Sequence, residues 1–537
     1  MRSEPLRAAD VLARRLYAAG CRHAFGMPGG EVLTLVDALE AAGIRFHLAR
    51  HENAAGFIAE GVHHRDGAPA ILVGTIGPGV LNAVNVVANA MQDRVPMIVL
   101  SGCVEADEAL RYTHQVVDHK AVLGAVTKAT FRLSPGGAAL IVDKAVRIAL
   151  RPRQGPVHID VPIGAADAPA PPAPLIAPEA AAAPHGPALD QARDWLARAD
   201  RPLALIGLDA LRDGCGAALR GFVERFGVPF VTTYKAKGIL PEDHPLCLGG
   251  AGLSPLADRH LLPLVGAADL VLALGYDPIE MRSGWRDAWD PDTQRVIDIA
   301  AEPNDHGMHR AGLAFVADTG AALDALGHGV APRATWPGGE PARVRAALAA
   351  AFPADDDWGP AAVIAEARAV LPPDTLASAD SGAHRILLSQ MWRCTEPRGL
   401  VQSSGFCTMG CAVPLAIGMK LAAPARPVVS FSGDAGFMMV AGELATAADL
   451  GVAPIFVVFV DDSLALIELK QRQRQLRNAG VDFPGHDLPA LARALGGHGV
   501  SVRDRGGLRA ALRRALESDR FTVIAAGIGS RAYDGRI

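Results

Sequence analysis

The sequence predicts an α/β protein made of three doubly wound, parallel-sheet domains. Three observations carry this. Short, nearly continuous runs of Val, Ile, Leu and Ala recur along the chain, as expected of strands covered on both faces. Segments with helical spacing separate them, the alternation of a βαβ series. Two breaks divide the chain into three blocks of similar size. At about 150 residues per domain, 537 residues suit three or four domains.

The first block, 1–165, opens with helical spacing from Ala8 to Ala19. His23-Ala24-Phe25 then ends in the turn Gly26-Met27-Pro28-Gly29-Gly30. Further strands are expected in IRFHLA, at Ala70–Gly74, Met97–Ser101 and Val157–Asp160. Residues 166–188 are dense in Pro and Ala, and predict an extended linker, poorly packed in part. The middle block, 189–330, has strands at Leu203–Ile206, Val228–Thr232, Leu270–Leu274 and Arg295–Ile299. A weaker break, 331–360, contains APRATWPGGEPAR and FPADDDW and reads as a second linker. The last block, 361–537, has strands at Arg426–Phe431, Ile455–Val460 and Phe521–Ala525.

Composition narrows the function. Half of the residues are hydrophobic, 20% are charged, and the net charge is −5. No basic excess invites nucleic acid. The seven cysteines are scattered without a CxxC pair, which argues against zinc and against a disulfide framework. Reduced thiols in a cytoplasmic protein are the plain reading. No signal-peptide pattern and no long uncharged apolar run occurs, so no membrane span is expected.

Two segments carry chemistry. The run PVVSFS ends at Gly433-Asp434-Ala435-Gly436, a helix follows, and IFVVFV ends at Asp461-Asp462-Ser463. A strand–helix–strand unit puts both acidic sites on the rim where open α/β sheets bind ligands. Carboxylate oxygens there suit magnesium. Gly433, Ala435 and Gly436 let backbone N–H groups approach a phosphate. Taken alone, Asp434 is as well explained as a helix cap. The second segment is Arg50-His51-Glu52-Asn53-Ala54-Ala55. Burial there would raise the pKa of Glu52 and suit it to acid–base work. A buried Arg50–Glu52 ion pair is the alternative.

These segments resemble the signature of thiamine-diphosphate enzymes, a Gly-Asp-Gly followed at similar distance by Asn-Asn or Asn-Asp. The resemblance implies that Asp434, the Asp461 side chain and the Ser463 carbonyl hold Mg2+. Ala435 replaces the second Gly, and Val460-Asp461-Asp462 leaves either acid open as the ligand. Spacing favours Asp461, 27 residues after Asp434. The resemblance further implies that Glu52 hydrogen-bonds the aminopyrimidine ring of thiamine diphosphate. Gly29 and Gly30 resemble the turn beside that ring. Gly77-Pro78-Gly79 with Asn82 resembles the family's Gly-Pro-Gly-x-x-Asn loop. Gln115 matches a glutamine that reaches the reaction centre. Gly382-Ala383-His384 resembles a loop that touches the diphosphate. Met409 matches the bulky apolar residue that wedges the cofactor, and the resemblance implies that Thr408 before it and Leu464 after the metal loop also bind the cofactor. Singly these are weak, since Gly-Pro-Gly is usually a turn and a lone Met usually core. Their order along the chain makes the resemblance specific.

THQVVDHKAVLGAVTK and GYDPIEMRSGW resemble the catabolic, flavin-free acetolactate synthases. The Gly-x-Arg-Phe-Asp-Asp-Arg stretch of flavin-containing synthases is missing, so no FAD is expected. The implied reaction is decarboxylation of a 2-keto acid and carboligation to a second. Cys407-Thr408-Met409-Gly410 stands where those synthases have Gln-Thr-Leu-Gly, and Leu464 where they have Tyr. The run Leu464 to Gln471 suits either a larger, more hydrophobic substrate or plain core packing. A non-ligating decarboxylase, or a silent subunit, are the rival readings. The resemblance also implies that Glu52 and Asp434 meet across a two-fold interface in an obligate homodimer, extended to a homotetramer. The tail Gly529–Ile537 either covers the site or frays.

Overall fold

The computed structural model describes residues 6–171, 173–174 and 182–537. They form three six-stranded sheets in which every paired strand is parallel. The first sheet runs Arg45–Leu48, His23–Gly26, Ala70–Gly74, Met97–Cys103, Val157–Pro162, Ala129–Arg132. The third repeats that order with Leu400–Gln402, Leu376–Ala379, Val428–Gly433, Ile455–Val460, Thr522–Gly527, His498–Val502. The middle sheet runs Leu313–Val316, Arg295–Ala300, Leu270–Leu274, Pro202–Ile206, Phe230–Thr233, Cys247–Ala251. In each sheet the order reverses beside the first strand of its domain, which opens a crevice at the strand C-termini. Among the described residues no helix is long and apolar enough to cross a membrane.

The central strands are apolar on both faces because helices cover both. Ala70–Gly74, Leu270–Leu274 and Met97–Cys103 are buried along their whole length. Edge strands are mixed, as in Leu313–Val316, where intermediate and exposed residues alternate.

The two expected linkers differ from their simple description. Within 166–188, residues 172 and 175–181 lie outside the described residues. The stretch before them is packed on the first domain. Ala166 and Ala170 are buried, and the Ala8 N–H donates to the Ala168 carbonyl at 2.9 Å. Residues 331–360 contain the helix Glu340–Ala351, which lies against the helix Pro255–Ala267 of the middle domain. Trp336 is buried there and donates from Nε1 to the Pro202 carbonyl at 2.7 Å.

The first and third domains are joined by a close helix crossing. The helix Glu52–Asp66 meets the helix Ala412–Ala422 at two glycines. A Cβ on Gly418 would lie 2.0 Å from the Ile58 carbonyl oxygen, and one on Gly61 would lie 2.3 Å from that of Leu415. Only glycine allows backbones this near.

Polar contacts tie in the middle domain. Arg94 pairs with Asp277 at 2.8 Å, and Lys235 lies 3.2 Å from Asp93, which also accepts from the Gly405 N–H. In the Gly275–Trp285 segment, Trp285 is fully buried and donates to Asp258 at 2.9 Å. Glu280 is buried beside it. Its Oε1 accepts from the Lys235 N–H at 3.1 Å. Burial is the main cause that pushes this carboxyl up to about 8. The unfolded chain releases the proton near 4.5. Between these values the folded state holds the extra proton, so its contribution to stability is lost as pH rises. Glu280→Gln is therefore expected to melt higher than the parent at pH 9, with a smaller difference at pH 5. A difference that does not change with pH would count against a protonated Glu280.

Candidate active site

The crevice ends of the first and third sheets carry the candidate residues. In the third domain the strand Val428–Gly433 delivers Asp434 to the first position of the short helix Asp434–Met439. Asp434 is buried and accepts the backbone N–H groups of Ala435 at 2.8 Å, Asp462 at 2.8 Å and Asp461 at 3.2 Å. The next strand, Ile455–Val460, delivers Asp461 beside it. Burial, then the charge of Asp434, pushes the Asp461 carboxyl up to about 7. Burial also raises the pKa of Asp434. The neighbouring Asp462 is exposed, at φ +54°, with its carboxylate against Gly485.

Asp434, Asp461 and Ser463 line a cavity of about 310 Å3. Asp462 is not among its lining residues. Gly382, Ala383, His384, Met409, Gly433, Ala435, Gly436 and Leu464 share the wall. His384 is 3% exposed and stacks on Phe459, with ring centroids 5.4 Å apart. Burial pushes its imidazole down to about 3, so it is neutral, and its Nε2 has no partner among the described residues. The Ser463 hydroxyl turns to Asp482 at 2.7 Å.

Sequence reasoning missed several members of this wall. Arg282 comes from the middle domain, Lys470 from the helix Ala465–Gln473, and Tyr533 from the C-terminal tail. The side chains of Arg282 and Lys470 make no hydrogen bond or ion pair among the described residues. The tail is anchored by the Arg472–Asp534 pair at 2.6 Å, and Tyr533 is 4% exposed. The tail thus packs on the domain and contributes Tyr533 to the cavity wall. Leu464 to Ile467 line the cavity, while Ala465 and Leu466 also pack against the domain core. Asp380 was missed too. It follows directly on the strand Leu376–Ala379, and its carboxylate accepts from Gly410 N–H at 2.8 Å and Ser381 N–H at 2.8 Å. It thereby ties the Met409 loop to the Gly382 loop. The signal was available, an acid immediately before Ser-Gly at a strand end.

The first-domain rim holds the other candidates. Glu52 is the first residue of the helix Glu52–Asp66 and is 5% exposed. Its Oε2 accepts from Asn82 Nδ2 at 2.9 Å, and a Cβ on Gly79 would lie 3.3 Å from its Oε1. Arg50 pairs instead with Asp449, and its N–H donates to Glu443 at 3.1 Å. The alternative Arg50–Glu52 pair is not formed. Gly29 abuts Thr75, where a Cβ would lie 2.4 Å from Oγ1, and Gly30 is exposed. Gln115 is exposed on the loop beside Gly77. Asn82, Thr408 and Met409 line a second cavity of about 660 Å3 between the first and third domains. Glu52, Gly29, Gly30 and Gln115 do not line the cavity around Asp434 within one chain.

Three family models match the chain in order. Residues 6–122 match the N-terminal TPP binding domain of thiamine pyrophosphate enzymes, 189–326 their central domain and 380–526 their C-terminal TPP binding domain. The chain belongs to the thiamine pyrophosphate enzyme family. Full-length relatives agree. An acetolactate synthase large subunit of Parasynechococcus marenigrum is 31% identical over 96% of this chain and 86% of its own. A catabolic acetolactate synthase of Raoultella terrigena is 28% identical over 97% and 95%. A probable 2-ketoarginine decarboxylase of Pseudomonas aeruginosa is 30% identical over 97% and 93%.

The site fits the family's cofactor. Asp434 and Asp461 offer hard oxygens whose mutual repulsion a divalent cation relieves. The buried Nε2 of His384 has no partner among the described residues, as expected of a ligand contact.

Proposed function

We propose that this thiamine pyrophosphate enzyme is a carboligase of the acetolactate-synthase type. It would decarboxylate one 2-keto acid and join the remainder to a second. What supports ligation is the set of full-length relatives named acetolactate synthases, and what supports the cofactor chemistry is the pairing of two half-sites, Asp434 with Asp461 at the third-domain rim and Glu52 with Asn82 at the first. Asp434, Asp461 and the Ser463 carbonyl would hold Mg2+. Gly382, Ala383, His384 and Gly433 to Gly436 would seat the diphosphate, Met409 would support the cofactor from the cavity wall, and Gly29, Gly30, Asn82 and Thr408 would meet its pyrimidine side. When bound, thiamine diphosphate supplies the electron sink for loss of carbon dioxide. Glu52 holds and moves a proton at the pyrimidine ring, and Gln115 stands near the substrate. Arg282 and Lys470 lend positive charge to keto-acid carboxylates. The Gly275–Trp285 segment is filled by its own Tyr276 and Trp285, both buried, which supports a central domain without FAD.

A homodimer supports this site, and a homotetramer extends it. Large apolar side chains stand exposed around both rims, among them Leu110 (85%), Met439 (65%) and Leu33 (62%). A face of this kind suits a second copy that brings its own Glu52 to Asp434. The seven unpaired cysteines suit a reducing, cytoplasmic setting, and the net charge of −5 gives nucleic acid no foothold.

A second reading is a 2-keto-acid decarboxylase for a longer substrate. The apolar wall from Leu464 to Ile467 favours it. Incubation with pyruvate, Mg2+ and thiamine diphosphate separates the two. Carboligation is expected to give acetoin after acidification, from a protein whose native mass is at least twice 55.9 kDa. Aldehyde alone would sink the carboligase. If pyruvate gives neither, longer and aromatic keto acids are expected to turn over instead.

A further inference from the structure

Behind the first-domain rim lies a buried polar cluster that none of these roles uses. The strand Met97–Cys103 brings Ser101, the strand Val157–Pro162 brings His158 and Asp160, and the helix His119–Leu123 begins with His119. Ser101 and His158 are 0% exposed and His119 is 2% exposed. Asp160 Oδ1 accepts from the Ser101 hydroxyl at 2.6 Å and from His119 Nδ1 at 2.8 Å. The Ser101 oxygen in turn lies 2.7 Å from His158 Nε2. Burial alone would raise the pKa of Asp160, yet its imidazole and hydroxyl donors together bring it well below the usual carboxylate range.

The other nitrogen of His119 faces the active-site loop. Its Nε2 lies 3.1 Å from the Gly77 nitrogen. A backbone N–H can only donate, so Nε2 carries the lone pair and Nδ1 carries the proton toward Asp160. The ring is thus read from both sides as one tautomer. His119, His158 and Asp160 are also close enough together to suggest a metal site. The hydrogen bonds oppose that, because both His119 nitrogens are already engaged.

What His119 holds is a turn that only glycine can make. Gly77 sits at φ +63° and ψ −100°, with the Gln115 carbonyl so near that a Cβ would lie 2.3 Å from its oxygen. Pro78 and Gly79 follow and open the helix Pro78–Gln92. That helix carries Asn82 to Glu52, and Gly79 lies against the same carboxylate.

We propose that His119 is a positioning residue, which grips the Gly77 N–H through Nε2 and thereby fixes the loop that orients Glu52, while Asp160 sets its tautomer. The inference rests on the reading of Glu52 as the proton-handling group. An Asp160–His119 pair so used needs no contact with substrate or cofactor.

Three variants test this in the full-length protein: His119→Leu, His119→Gln and Asp160→Ala. Amide exchange of residues 75–82, followed without added cofactor, is the direct readout. Leu removes the acceptor. Ala removes the oxygen that holds the Nδ1 proton and leaves the ring free to take the other tautomer. Both are expected to speed exchange there about tenfold or more, and to lower kcat by about tenfold or more with KM little changed. Gln can offer its amide oxygen to Gly77 and is expected to recover most of both effects. Unchanged exchange in Asp160→Ala, or a Gln variant no better than Leu, overturns the proposal, as does fast exchange with full kcat. If His119→Leu does not fold, Asp160→Ala, which leaves the His119 ring in place, decides alone. A fully active Glu52→Gln would remove the Glu52 assignment, whereas the exchange result bears on His119 alone.

Discussion

Glu52→Gln is expected to lower turnover by about three orders of magnitude while leaving cofactor affinity nearly unchanged. The substitution is a narrow one. Gln keeps the length of the side chain, and its amide oxygen can still accept from Asn82 Nδ2, now 2.9 Å from Oε2. The side chain therefore stays against Gly79 at the first turn of its helix. What disappears is a carboxylate able to take up and return a proton in a site only 5% exposed. Steady-state rates and calorimetric titration of thiamine diphosphate measure the two halves of the statement. A rate close to that of the parent would remove Glu52 from the chemistry. Lost binding with no folded protein would instead mean a structural role.

The second large effect is expected at the paired acids. Asp434→Asn should weaken Mg2+-dependent cofactor binding by about a hundredfold. Asp434 is the hub that accepts three backbone N–H groups, from Ala435, Asp461 and Asp462. An amide there loses the charge and turns N–H toward N–H. Asp461→Asn is expected to act in the same direction, because Asp461 faces Asp434 within the cavity wall. Asp462→Asn should change little, since that side chain is exposed beside Gly485. Titration with Mg2+ or Mn2+ at fixed thiamine diphosphate distinguishes them. Equal losses at 461 and 462 would overturn the choice between the two acids.

Much of this fold was legible in the chain, and the physical reason is burial. Ala70–Gly74, Leu270–Leu274 and Ile455–Val460 run in the structure between the residues the apolar pattern marked. Strands covered on both faces have no polar alternative at any position. Edge strands such as Ala129–Arg132, Leu313–Val316 and His498–Val502 escaped because one side meets solvent and the pattern dissolves. Leu376–Ala379 escaped for a different reason, since it is buried but four residues long and half Ala.

The site was legible where a motif is local and hidden where partners come from afar. Asp434 and Asp461 belong to one strand–helix–strand unit, so spacing alone brought them together. Arg282 reaches the same cavity from another domain, and Tyr533 from the end of the chain. No periodicity reports such meetings. The His119–Gly77 contact spans 42 residues and joins a side chain to a backbone donor, which sequence leaves unmarked.

The glycine crossing between the helices Glu52–Asp66 and Ala412–Ala422 bears on motion. Backbones in contact at Gly61 and Gly418 cannot slide without a collision, and neither glycine leaves a compressible side chain between them. At this crossing the first and third domains meet backbone to backbone and pack as one unit. The exposed segments beside the crevice are peripheral, the loop that carries Gln115 and the helix Ala465–Gln473 with the tail paired to it. Motion that admits substrate is thus expected at the rim rather than at the seam.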